Sequence, residues 1–131
     1  MALGGRGAFL KEGGFITQRY KTVGFINGIK ILRPVDPKHK LSLPERSGSP
    51  NTSYVSYNDD GSFRQFITFD DDRMPRYQID YGKHQGVKSL HVHIYQNGNR
   101  DWGFRYLYPG DDLYDRHKKL FIGVPIPDER K

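Results

Sequence analysis

The chain has 131 residues, enough for a single domain of modest core. Its hydrophobic content is only 35%, but 14% of residues are aromatic, and large rings can fill a core with fewer side chains. The absence of cysteine rules out disulfides, thiolate metal sites and cysteine nucleophiles, and a net charge of +6 favours acidic partners such as nucleic acid.

In chain order, residues 1–14 hold five glycines and read as a flexible leader. A single α+β domain is expected over residues 15–124, with 125–131 as a tail. Phe15 to Ile26 is rich in aromatic and β-branched residues, and Ile29-Lys30-Ile31-Leu32 is its return strand across an Asn27-Gly28 turn of type I′. Residues 33–50 carry four prolines and read as a long irregular loop. Thr52 to Tyr57 forms the next strand, and Asn58-Asp59-Asp60-Gly61 the turn into Ser62 to Phe69. Alternation places Phe63, Ile67 and Phe69 on one face of that strand, and Arg64, Phe66 and Thr68 on the other. Asp70-Asp71-Asp72 reads as a solvated turn, because calcium-loop spacing is not met. Tyr77, Ile79 and Tyr81 then alternate with Gln78 and Asp80.

The most informative segment follows: Lys88-Ser89-Leu90-His91-Val92-His93-Ile94-Tyr95. In a strand, Leu90, Val92 and Ile94 share a buried face, while His91, His93 and Tyr95 share the other. Asn97-Gly98 closes this strand, and Trp102 to Tyr108 returns. A helix from about Asp111 to Ile122 has Asp111 or Gly110 as cap, Lys118 and Lys119 near its end and Gly123 beyond it. Leu113, His117, Leu120 and Phe121 form its stripe, with His117 a packed residue. The expected fold is therefore an α+β domain: a mainly antiparallel β-sheet meander of five to seven strands with one C-terminal helix.

Two imidazoles on one sheet face suit acid/base work near neutral pH. With a carboxylate such as Asp80 they also make a two-His-one-carboxylate metal set. No further ligand spacing such as HExxH supports a metal, so metal-free chemistry without a cofactor is the expectation. Cleavage of RNA by its own 2′-OH needs a base, an acid and cations. His91 and His93 supply the first two, Asp80 orients one ring, and Arg64 and Lys88 (with Arg105 a further candidate) contact phosphate. Tyr54, Tyr81 or Tyr95 offers a stacking platform for a base.

The ordered pieces Ser49-Pro50-Asn51, Asn58-Asp59-Asp60-Gly61-Ser62-Phe63-Arg64-Gln65, Phe69-Asp70, Ile79-Asp80-Tyr81 and His91-Val92-His93 resemble one group. These are small C-terminal domains of phage and prophage minor head (head-morphogenesis) proteins and of polymorphic-toxin-like bacterial proteins. The resemblance spans roughly residues 14–122. It implies a nuclease-like effector in which Asp80, His91 and His93 are the recurring polar positions, with Asn51 and Arg64 behind them. It further implies a virion-associated or cytoplasmic location and a phage structural protein or an immunity protein as partner. No apolar run suits a membrane helix. The competing expectation is a non-enzymatic phage adaptor that binds protein or DNA through its basic, aromatic surface.

Overall fold

The computed structural model of the protein describes residues 6–10, 16–35, 43, 49–84, 87–96 and 99–126. It shows one sheet with its strands in sequence order: β1 (Arg6–Leu10), β2 (Ile16–Ile26), β3 (Ile29–Pro34), β4 (Ser53–Tyr57), β5 (Phe63–Phe69), β6 (Pro75–His84), β7 (Val87–Gln96) and β8 (Asn99–Tyr106). A short helix, α1 (Asp112–His117), follows and runs into a 3-10 turn over Lys118–Leu120. The α+β meander with one C-terminal helix is therefore present. Among the described residues it has eight strands rather than five to seven, because Arg6–Leu10, within the glycine-rich leader, pairs with β2 as β1.

The β2–β3 turn has the type I′ signature, with φ of 50° at Asn27 and 76° at Gly28. The meander has one parallel step. Lys30 and Ile31 of β3 pair with Tyr54 and Val55 of β4, so the proline-rich loop is a crossover between parallel neighbours.

Cross-strand register divides the side chains into two faces. On the helix face, Val55, Phe66, Ile79 and Val92 lie opposite one another across four strands. Leu90, Leu107, Leu113, Leu120 and Phe121 complete that core. A register shift beside Tyr57 lets Phe63 join Phe66 on this face, where it meets Phe121 edge-on at 4.9 Å. Ile67 and Phe69 go to the other face, in a smaller cluster with Tyr20, Leu32, Leu43 and Tyr54. The expected grouping of Phe63 with Ile67 and Phe69 is thus corrected. A β-bulge breaks the period-2 rule, and no local sequence pattern announces it.

Asp111 caps α1 by accepting from the Leu113 N–H at 2.9 Å, and Arg105 grips both its carboxylate oxygens. That guanidinium holds the Asp111 carboxyl below its ordinary range. The Tyr57 hydroxyl donates to the Leu120 carbonyl at 2.8 Å and pins the 3-10 turn to the sheet; burial pushes its pKa up to about 12. The helix is shorter than the sequence predicts, since its last turn tightens to 3-10 geometry at Lys118. Beyond it, Gly123 adopts a φ of 77°, and a Cβ there would lie 2.8 Å from the Ser62 Cβ. A close approach and a positive φ together require glycine at that point.

Candidate metal centre

The polar half of the other face lies over β6–β8. One row of cross-strand neighbours runs Ser56, Gln65, Asp80, His91, Tyr106. The next runs Tyr54, Ile67, Gln78, His93, Phe104. Asp80 therefore sits directly opposite His91, and Gln78 opposite His93, so four polar side chains occupy two adjacent rows.

Three of these groups are buried and Asp80 is partly so. His91 and His93 are each only 4% exposed, and the Asp80 side chain is 16% exposed. The Phe104 ring lies 5.5 Å from His91 and 5.4 Å from His93, covering both from the β8 side. The two imidazoles meet edge-on at 5.1 Å. On the β5 side, the Leu43 N–H donates to Gln65 Oε1 at 2.8 Å, which places this residue of the β3–β4 crossover against the same face.

Both imidazoles direct Nε2 at one carboxylate oxygen. Asp80 Oδ2 is 3.8 Å from His91 Nε2 and 3.6 Å from His93 Nε2. His91 Nδ1 lies 3.1 Å from the Ser89 carbonyl, which can only accept, so Nδ1 carries the proton. In the neutral ring, the His91 Nε2 lone pair then faces the carboxylate. Gln78 Nε2 donates to Asp80 Oδ1 at 2.8 Å, and the Tyr95 hydroxyl donates to Gln78 Oε1 at 3.2 Å.

One nitrogen from each histidine and one Asp80 oxygen lie within 4.8 Å of each other. Donors held 2.0–2.2 Å from a tetrahedral ion are separated by roughly 3.4 Å. The two carboxylate edges are a few tenths of an ångström wider than that. A protonated imidazole would instead approach its carboxylate to about 2.7–2.9 Å. The two carboxylate separations are compatible with a shared ion, and the His91 Nδ1–H bond to a backbone carbonyl fixes the tautomer and orientation of that one ring.

The residues singled out in the sequence divide sharply. Asp80, His91 and His93 converge, and Tyr95 reaches them through Gln78. Lys88 and Tyr81 do not: Tyr81 packs against the helix-face core, and Lys88 Nζ lies 5.2 Å from its ring centroid. Arg64 sits in the bulge at the start of β5, one strand from Asp80. Asn51 is an exposed turn residue with φ of 49°, and its N–H donates to the Asp70 carbonyl at the open end of the β4–β5 hairpin. Arg105 is committed to the helix cap. Asp70 accepts from the N–H groups of Asp72 and Met74, as a turn aspartate does. His117 packs under the helix, as its stripe predicts, 2.7 Å from the Tyr77 hydroxyl.

Gln78 and Phe104 were not legible as site residues. Reading Gln85-Gly86 as a two-residue connection places Gln78 opposite His93 by counting; nothing local marks Phe104. Among the described residues, no helix is long and apolar enough to cross a membrane. No protein-family model, curated protein or solved structure matches this chain.

Proposed function

We propose that this domain binds one divalent transition-metal ion through Asp80, His91 and His93. The observation that carries the reading is the convergence of both Nε2 atoms on Asp80 Oδ2, at distances too long for hydrogen bonds and suited to a shared ion. Two imidazoles and one carboxylate favour zinc or ferrous iron over calcium and magnesium, which prefer all-oxygen shells. Three protein donors leave at least one position for water or substrate, the arrangement of reactive rather than purely structural sites. An ion bound there supplies a Lewis acid and an acidified water. The chain's own part is to fix the ligands and, through Phe104, to limit solvent access. The +6 charge makes nucleic acid the favoured class of macromolecular partner, in the phage- or toxin-associated setting that the sequence resembles.

A second reading keeps the same three groups for metal-free acid/base cleavage of RNA. In its favour is a carboxylate flanked by two imidazoles. Against it, Lys88 lies on the opposite face and Arg105 is occupied by Asp111. Calorimetric titration of chelator-treated, untagged protein with Zn²⁺ or Fe²⁺ separates the two. The metal reading predicts saturation at one ion per chain, lost in His93→Ala. Absence of binding, together with RNA cleavage in excess chelator, would establish the metal-free reading instead.

A further inference from the structure

Beyond the two imidazoles, Asp80 has a side-chain partner on its other oxygen. Gln78 is 7% exposed, lies on β6 two residues before Asp80, and projects to the same face. Its amide bridges two partners, giving a hydrogen to Asp80 Oδ1 and taking one from Tyr95. A carboxylate only accepts, so the group facing Asp80 must be the amide NH₂. The Oε1 end is then left to the Tyr95 hydroxyl, and the tyrosine sets the orientation of the amide. With Oδ1 held in this way, Oδ2 is the oxygen turned to both imidazoles.

We infer that Gln78, oriented by Tyr95, is a positioning residue that confines Asp80 to a single donor oxygen and thereby selects small borderline cations over calcium. The inference rests on the metal reading above. Its physical basis is coordination number. Calcium takes six to eight oxygens and often uses a carboxylate with both. A carboxylate whose second oxygen is engaged by an amide adds only one donor, which suits a four- to six-coordinate ion with nitrogen ligands. Supports of this outer kind typically change metal affinity 10–100-fold when removed.

The variant that removes the donor with least change of volume is Gln78→Met. Competition against a chromophoric chelator should show Zn²⁺ affinity lower by about 10–100-fold, with Ca²⁺ affinity unchanged or raised, so that the preference narrows. The visible bands of the Co²⁺ form should shift, because the carboxylate is freed to bind through both oxygens. Tyr95→Phe should move affinity and spectrum in the same direction by a smaller amount. A merely structural role would lower the unfolding temperature of the metal-free protein and leave the cobalt bands in place.

Unchanged Zn²⁺ affinity and unchanged cobalt bands in Gln78→Met overturn the positioning role while leaving the metal site standing. Should that variant not fold, the same null result in Tyr95→Phe overturns it. Failure of the wild-type chain to bind any of these ions instead removes the metal reading itself.

Discussion

The two faces of one sheet bury histidine in opposite ways. On the helix face, His117 lies 2.7 Å from the Tyr77 hydroxyl and packs at a tilt against Phe66, ring centroids 4.5 Å apart. Burial depresses its pKa to about 4, so it is neutral at pH 7, and its Nε2 shares one hydrogen bond with the tyrosine hydroxyl. On the other face, His91 and His93 are more deeply buried and point together at a carboxylate. The helix-face histidine serves as a packing residue with one satisfied bond. The other pair is arranged around a point in space between three donors. Burial alone therefore does not separate the two environments; the convergence of polar neighbours on one of them does, and it is what makes that face the candidate site.

The largest effect that sharpens this contrast comes from the helix face. Phe66 is 1% exposed at the centre of the core, and Phe66→Ala should lower stability by about 3–5 kcal/mol. Denaturant unfolding should show that loss equally with and without Zn²⁺. A loss confined to the metal-bound form would mean that the two faces are not independent. A smaller effect is expected at the helix anchor. Tyr57→Phe removes the donor to the Leu120 carbonyl and leaves that acceptor buried, which should destabilise by about 1–2 kcal/mol without altering metal affinity.

The smallest effect is set by pH. His117 takes up a proton near pH 6.5 when unfolded but only near pH 4 when folded. The unfolded state thus binds more protons in that window. The contribution of His117 to stability is full above pH 6.5 and is lost as pH falls toward 4. Because water reaches part of the ring, about 1 kcal/mol is expected rather than the full value of the shift. In metal-free protein, the stability difference between wild type and His117→Gln should shrink by that amount across the window. A constant difference would show that His117 titrates normally in the folded chain.

How much of this was legible beforehand depended on how local the signal is. The alternation of Leu90, Val92 and Ile94 with His91, His93 and Tyr95 assigned both faces of β7 correctly, because the strand period is a local property. Asp80 was legible conditionally, since its place opposite His91 requires β6 to pair with β7. Asn27-Gly28 announced its turn through backbone chemistry alone. The parallel pairing of β3 with β4 was not legible, because it joins segments separated by the proline-rich crossover. The bulge that moves Phe63 to the helix face was hidden for a similar reason: it exists only relative to the partner strand. Lys88 and Tyr81 were grouped with the histidines by residue type, yet their positions in the alternation send them to the other face.

The central claim is that the histidine face, unlike the helix face, is built to hold an ion. Nitrogen-15 NMR of the imidazoles in chelator-treated protein, before and after one equivalent of Zn²⁺, tests it most directly. The account predicts large shifts of Nε2 in His91 and His93, retention of the His91 Nδ1–H tautomer, and an unmoved His117. Unchanged His91 and His93 resonances, or a shift of His117 alone, would contradict it.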